Sequence, residues 1–151
     1  MKIYISSSFR NIHLVNMLRI NLEAEGHAIL DWTIFAPPIQ EDMPIHERRT
    51  LLNADVRGNI FAFCARSCAS ADLFIYQGHS GQDSGIELGI AYASGVFTIG
   101  LLGPFEEPGT MLHGAVNLWA KDARDLLSLV KSTAVTPTGV RCYADRSIPC
   151  M

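Results

Sequence analysis

The 151-residue sequence predicts a three-layer α/β fold, with a five-stranded parallel sheet between helices in the strand order 2-1-3-4-5. Short apolar runs alternate with segments of helical period along the chain, which is the pattern of a parallel sheet covered on both faces. The opening Lys2–Trp32 and the central segment Ala71–Leu102 each read as strand, helix and strand with short joints. Such crossover units place their two strands side by side and parallel.

The first unit comprises a strand at Lys2–Ser6, a helix at Ile12–Glu25 and a second strand at His27–Trp32. The helix has one apolar stripe at helical spacing. Asn11 is a residue type that caps helix N-termini, so we expect its side chain to cap this helix. Gly26 suits the C-terminal end of the same helix.

The central unit has a strand at Asp72–Tyr76, a glycine-rich loop over Gln77–Gly85 and a helix at Ile86–Ser94. Gly95 is expected to end that helix in a left-handed conformation, before a strand at Val96–Leu102. The two strands are therefore predicted to be parallel neighbours.

Between and after these units, the pattern predicts a long loop, more helix and a last strand. Thr33–Pro44 contains three prolines, which favour a loop. Ile45–Ser70 is predicted helical, in two pieces broken near Asn53–Gly58. A short strand is expected around Ala115–Trp119 and an amphipathic helix over Ala123–Ser132.

The length and the pattern predict one domain over residues 1–132 and an irregular C-terminal tail over 133–151. The net charge of −3 and the lack of a basic cluster argue against nucleic acid as a partner. No apolar run reaches the ~18 residues of a membrane span, and the N-terminus leads directly into a strand pattern. We therefore expect a cytoplasmic protein with no membrane partner.

The four cysteines do not form a metal-binding pattern. Cys64 and Cys68 are four residues apart on a predicted helix, whereas Cys142 and Cys150 are irregularly placed in the tail. A structural zinc site needs four closely grouped ligands. Reduced thiols, no metal and no cofactor are the expectation.

The strand order predicts where a ligand binds. Strands one and three are adjacent and the chain changes direction between them, which in flavodoxin-like and Rossmann-like sheets opens a cleft at the carboxyl ends of the strands. Glu87 is placed at this cleft on a helix that has no polar stripe, so its carboxylate is expected in a partly enclosed space. The alternative is a solvated first-turn glutamate that complements the helix dipole.

One lip of the predicted cleft follows strand one. Ser6, Ser7, Ser8 and Arg10 offer hydroxyls and a cation to a phosphate or a polyhydroxyl ligand, and Phe9 offers a flat ring to a base. A run of serines is also common in simple turns, so this lip alone is weak evidence.

The other lip follows strand three. Gly78, Ser84 and Gly85 lead into a helix N-terminus, whose free N–H groups favour an anion. Trp32 and Tyr76 are further candidates for stacking on a base, although aromatic residues at strand ends are often part of the core. Together the two lips predict a small nucleoside or nucleotide ligand.

The segments KIYISSSFRN, ADLFIY and DSGIELGIAYASG resemble the nucleoside 2-deoxyribosyltransferase-like superfamily, and the resemblance extends from Lys2 to about Val130. It implies that Glu87 is the nucleophile and Asp83 the acid near the base and sugar, in an enzyme that cleaves the N-glycosidic bond of deoxynucleosides or nucleoside 5′-monophosphates. Near the position where the transferases carry an aspartate, this chain has Cys64, so hydrolysis and transfer both stay open.

The resemblance also implies a homodimer or larger homo-oligomer. Phe61, Phe63 and the tail around Tyr143 are the candidates for the buried interface.

Two other functions stay open at this point. The opening ISSSFRN is similar to that of TIR-like domains, which have this topology and use a glutamate on NAD. A nucleotide-binding protein without turnover is the second alternative.

In the enzyme that the resemblance implies, a glutamate nucleophile would form a glycosyl-enzyme, which water or a second base would then resolve.

Overall fold

The computed structural model describes residues 1–35, 43–53 and 56–134. Its sheet has five strands, all paired in parallel, in the order β2-β1-β3-β4-β5. The predicted fold class and strand order are confirmed. The strands are β1 (Lys2–Ser6), β2 (Ala28–Ile29), β3 (Leu73–Gln77), β4 (Phe97–Leu101) and β5 (Leu118–Ala120).

Helices cover both faces of this sheet. They are α1 (Ile12–Ala24), α2 (Ile45–Asn53), α3 (Val56–Ser70), α4 (Gln82–Ala93), α5 (Thr110–Ala115) and α6 (Ala123–Ala134). Among the described residues, no helix is long and apolar enough to cross a membrane.

Alternating side chains of the strands form two hydrophobic cores. Ile3 and Ile5 of β1 belong to the core that includes the apolar faces of α1 and α6. Tyr4 and Phe74 belong to the core that includes residues of α3 and α4, and their rings stack 5.7 Å apart. Because successive side chains of a strand point to opposite faces, Ser6 lies on the same face as Tyr4. Polar residues at the end of β1 therefore meet α4.

Strand β2 is much shorter than predicted. It ends at Ile29, and Leu30 makes one more backbone bond to Ile3, at 2.9 Å. Asp31 then accepts a hydrogen bond from the backbone N–H of Thr33, which begins a short 3₁₀ turn at Trp32–Ile34. The local cap takes precedence over the strand pattern there.

Helix α4 begins earlier than predicted, and helix α5 was not predicted. Gly81 is the N-cap of α4, so Gln82–Gly85 is helical rather than part of a loop. Helix α5 precedes the short strand that was expected around Ala115–Trp119 and that is observed as β5. Gly95 has a φ of +72° and ends α4 as expected.

Asn11 precedes α1, but its side chain makes no capping bond, contrary to the prediction. Its amide instead donates to the backbone O of His79, at 2.8 Å, and to Oγ of Ser7, at 3.3 Å. This side chain therefore ties the loop after β1 to the loop after β3.

The predicted break near Asn53–Gly58 includes residues 54–55, which lie outside the described part of the chain, as do 36–42. Helix α6 continues to Ala134. The remainder of the predicted tail, 135–151, with Cys142, Tyr143 and Cys150, also lies outside the described residues.

Candidate functional site

The candidate site lies at the carboxyl ends of β1 and β3, where Ser6 and Tyr76 are partners in the parallel register. Helix α4 begins just beyond this edge and packs over the same face of the sheet. Its second turn brings Glu87 back over β1. The two strand ends that the sequence predicted to form a cleft are adjacent.

Two hydroxyl groups of β1 hold the carboxylate of Glu87. Tyr4 donates from Oη to Oε1 at 2.6 Å, and Ser6 donates from Oγ to Oε2 at 2.5 Å. Both side chains are buried, so each donor has a fixed position. A glutamate with both oxygens bound by the central strand is not a solvated surface residue.

Burial raises the pKa of Glu87 above its usual value, because the charged form loses water. The hydrogen bonds from Ser6, Tyr4 and Cys64 act in the opposite direction, and the charge of Asp83 adds to the increase. Asp83 itself is exposed in the first turn of α4. The structure thus brings together the two residues predicted to be catalytic, one partly buried and one at the surface.

The thiol of Cys64 faces the same carboxylate. Burial raises the pKa of Cys64 to about 11, the hydrogen bond with Tyr4 lowers it, and the charge of Glu87 raises it. This cysteine is therefore a neutral thiol at neutral pH. Cys68, one turn further along α3, is buried, which raises its pKa as well. In the part of the chain that the structure describes, no group of three or more His, Cys, Asp or Glu residues is placed to hold a metal ion.

The three serines at the end of β1 and directly after it have different partners. Ser6 is bound to Glu87, as described. Ser7 donates to the side-chain O of Gln77, at 2.5 Å, and also lies 2.8 Å from the backbone O of that residue. Ser8 accepts a hydrogen bond from the backbone N–H of Arg10, at 3.3 Å, which does not use the Ser8 hydroxyl proton. Ser8 is therefore better placed than Ser7 to bind a ligand.

Of the predicted aromatic residues, Phe9 is the accessible one. Its ring is 40% exposed and meets the Trp32 indole edge-on, with centroids 4.9 Å apart. Trp32 is buried and donates from Nε1 to the backbone O of Ile5, at 2.8 Å. The geometry therefore makes Trp32 a support for Phe9 rather than a surface for a base. Tyr76 is also buried.

The predicted residues of the second lip are divided by burial. Gly85 is exposed, and a side chain there would meet open space. Ser84 is 3% exposed. Gly78 is buried, and a Cβ at this position would collide with the carboxylate of Glu106. The backbone of Gly78 is thus covered from the side of the β4 loop.

Glu106 was not among the predicted site residues. It comes from the loop after β4, and only 8% of its side chain is exposed. Tyr76 donates to Oε1 at 2.5 Å, the backbone N–H of Gly103 donates to Oε2 at 2.9 Å, and Ser80 donates to Tyr76 Oη at 2.9 Å. The acidic pair in the segment GPFEEPG, directly after a parallel strand, was the signal that could have indicated it.

Several solved structures share this fold. A 2-deoxyribosyltransferase from Bacillus psychrosaccharolyticus has a TM-score of 0.59 and 19% identity, over 83% of this chain and 90% of that chain. A CMP N-glycosidase from Clostridium botulinum has a TM-score of 0.57 and 16% identity, over 87% of this chain and 99% of that chain. A conserved protein from Enterococcus faecalis V583 has a TM-score of 0.64 and 15% identity, over 88% of this chain and 98% of that chain.

The chain therefore shares its fold with a 2-deoxyribosyltransferase and a CMP N-glycosidase. The resemblance predicted from the sequence is therefore confirmed for the fold. No protein-family model and no curated protein sequence matches this chain.

Proposed function

We propose that this protein cleaves the N-glycosidic bond of a deoxynucleoside, nucleoside or nucleoside 5′-monophosphate, with Glu87 as the nucleophile. One observation carries the proposal: the carboxylate of Glu87 is held by Tyr4 and Ser6 of the central strand, at the carboxyl edge of the sheet. A partly buried acid whose pKa is perturbed by neighbouring groups is a candidate for catalysis. Two proteins with the same fold are a 2-deoxyribosyltransferase and a CMP N-glycosidase, which supports this reaction class.

The proposed reaction has two steps. In the first, an oxygen of Glu87 bonds to the anomeric carbon while the carbon–nitrogen bond breaks, and the base leaves with the electron pair and a proton from Asp83. In the second, water or another base attacks the anomeric carbon, its proton passes to Asp83, and the bond to Glu87 breaks. Tyr4 and Ser6 orient the nucleophile and help keep it ionised against the effect of burial.

Phe9 is the proposed contact of the base, because its ring is the exposed member of the pair with Trp32. The proposed ligand is a small molecule, and the chemistry needs no cofactor. A cytoplasmic location stays a prediction.

A substrate screen tests the proposal. The protein would be incubated with ribonucleosides, deoxynucleosides, their 5′-monophosphates and NAD, and released bases would be separated by chromatography. We expect a free base from at least one nucleoside or monophosphate, and none from the same reaction with Glu87→Gln. Adding a second base separates transfer from hydrolysis, because transfer gives a new nucleoside. If NAD were the only substrate cleaved, with release of nicotinamide, the TIR-like alternative would be favoured. Stabilisation of the protein by a ligand, without release of any base, would favour a binding protein.

We also propose that a 5′-phosphate binds at Arg10, with Ser8 as a further donor. The monophosphate of the preferred nucleoside should then bind more tightly than the nucleoside itself. Arg10→Ala should remove most of that difference, about 1.5–3 kcal/mol for a hydrogen bond to a charged group. Titration calorimetry measures both affinities, and equal affinities in the wild type would contradict the phosphate site.

The predicted self-association is retained as a proposal, with Phe61 as its main candidate. The ring of Phe61 is 67% exposed, whereas Phe63 packs against Phe35 of the same chain, with centroids 4.6 Å apart. Ile86 and Tyr92 of α4 are also more than half exposed. Sedimentation at micromolar concentration should show a dimer or larger assembly, and Phe61→Asp should shift it towards the monomer. A wild type that is entirely monomeric would refute this.

A further inference from the structure

A short chain of hydrogen bonds leads from the mouth of the cleft to a buried carboxylate. Ser80 is half-buried and immediately precedes Gly81, the N-cap of α4. Its hydroxyl donates to Tyr76, which is 2% exposed, and Tyr76 donates to Glu106. The loop that carries Ser80 is tied to the β1 loop through the backbone O of His79.

The last member of this chain fixes the direction of every bond in it. Tyr76 donates to Oε1 of Glu106, and a tyrosine hydroxyl has a single proton to donate. Oε2 of Glu106 already accepts from the backbone N–H of Gly103, a group that can only donate. The proton of Tyr76 therefore points at Oε1.

Tyr76 keeps that proton at neutral pH. Burial raises its pKa to about 12, and the hydrogen bond and the charge of Glu106 contribute to the increase. Because the single hydroxyl proton of Tyr76 is used for Glu106, its oxygen can only accept from Ser80. The single proton of Ser80 is then used as well, and the lone pairs that remain on Ser80 Oγ are acceptors.

We propose that Glu106, acting through Tyr76, makes Ser80 a hydrogen-bond acceptor at the mouth of the cleft, so that this point recognises a sugar hydroxyl of the ligand and disfavours phosphate. Ser80 is the residue that touches the ligand, whereas Glu106 and Tyr76 are positioning residues. The inference rests on the proposed function for the identity of the ligand as a nucleoside or its monophosphate.

The two lips then have opposite polarity. At the β1 loop, Ser8 receives the N–H of Arg10 and keeps its own proton for an acceptor such as phosphate. At the loop before α4, Ser80 donates its hydroxyl proton to Tyr76, which in turn donates to the carboxylate of Glu106. Any phosphate is therefore expected on the β1 side, and a hydroxyl of the sugar on the side of Ser80.

Equilibrium binding tests this without requiring turnover. The four common 2′-deoxynucleosides and their 5′-monophosphates would be titrated by calorimetry into the wild type, Ser80→Ala, Tyr76→Phe and the double variant. Ser80→Ala should weaken nucleoside binding about tenfold, the equivalent of one hydrogen bond. Tyr76→Phe releases the proton of Ser80, so the monophosphate should gain about tenfold in affinity relative to the nucleoside. The double variant should lose that gain, because the released hydroxyl is absent.

Both single variants keep the local packing. Phenylalanine preserves the Tyr76 ring beside Trp119, 6.2 Å away, and Ser80 lies in a half-exposed loop. Ser132→Ala is the matched control, since Ser132 is exposed on α6 and donates to the backbone O of Leu129. It should leave every affinity unchanged.

Three outcomes would overturn the inference: nucleoside affinity unchanged in Ser80→Ala, an unchanged preference in Tyr76→Phe, or no binding of any probe by the wild type. Binding that follows the expected pattern without release of base would support the inference and contradict the proposed function. Release of base with an unchanged relative affinity for monophosphate and nucleoside would support the proposed function and contradict the inference.

Discussion

Two glutamates lie at the carboxyl edge of the same sheet, and a tyrosine of a central strand donates to each of them. Glu87 accepts hydrogen bonds from Tyr4 and Ser6 of β1. Glu106 accepts hydrogen bonds from Tyr76 of β3 and from the backbone N–H of Gly103. The two sites differ in what carries the carboxylate. Glu87 belongs to a twelve-residue helix, and Glu106 belongs to the loop after β4.

The difference lies in how each carboxylate can act. Glu87 accepts hydrogen bonds from two side chains of β1, and the exposed Asp83 is near enough to change its pKa. Glu106 is fixed by the backbone of its own loop and is enclosed by Gly78. A carboxylate that must form and break a bond needs the first arrangement. One that sets the direction of other hydrogen bonds needs the second.

The largest expected effect separates the two glutamates by catalysis. Glu87→Gln removes the attacking charge and should lower kcat for base release by about 10³-fold or more, the scale of removing a nucleophile. Glu106→Gln should change kcat by less than about tenfold, because that residue does not touch the reacting carbon, and should alter KM instead. Initial rates at saturating substrate measure both. Equal losses in kcat would show that the comparison is mistaken.

The next effect concerns stability and the packing around Glu106. Gly78→Ala places a methyl group against the Glu106 carboxylate and should reduce the free energy of unfolding by about 1–3 kcal/mol. In a chain of this size, that corresponds to a melting temperature lower by roughly 3–10 °C. Gly89→Ala on α4 is the control, because a Cβ there meets nothing within 4 Å. It should stabilise the helix by about 0.5–1 kcal/mol. Thermal melts that showed both variants to be equally stable would contradict the enclosed site.

The smallest effect is on pH dependence and distinguishes the two tyrosines. The raised pKa of Glu87 places the acid limb of the rate above the ordinary glutamate value of about 4.3. The hydrogen bond from Tyr4 lowers that pKa, so Tyr4→Phe should move the limb to higher pH. Tyr76→Phe should leave it in place, since Tyr76 donates to Glu106. The pH profile of kcat/KM measures the limb, and a shift in Tyr76→Phe of similar size would contradict the assignment.

The raised pKa of Glu87 also makes the stability of the folded chain depend on pH. Because its pKa is raised on folding, the folded chain binds more protons than the unfolded chain between the ordinary and the raised values. The contribution of Glu87 to the free energy of unfolding is therefore greatest below its ordinary pKa and is lost as the pH rises through its raised pKa. Glu87→Gln should lose this part of the pH dependence, which melts at several pH values would show.

Much of the architecture could be predicted because it depends on local pattern. The period of the apolar residues identified β1, β3 and β4, and the two crossover units identified their parallel pairing. Glu87 could be placed at the strand edge for the same reason, since its helix directly follows β3. The end of α4 at Gly95 was predicted because a helix C-terminus with a positive φ depends on residues that are near in sequence.

What the local pattern missed depends on contacts between distant residues. Tyr4 was read as an ordinary residue of a strand, yet it donates to Glu87, 83 positions away. Asn11 was expected to cap α1 but donates to the backbone O of His79 in the loop after β3. Trp32 was expected in the second strand but lies in a 3₁₀ turn and donates to the backbone O of Ile5. Glu106 reaches Tyr76 across 30 positions. The sequence determined which residues have the chemistry, but the packing of the strand ends decided which of them meet, because a buried polar group takes whatever partner the tertiary structure brings within reach.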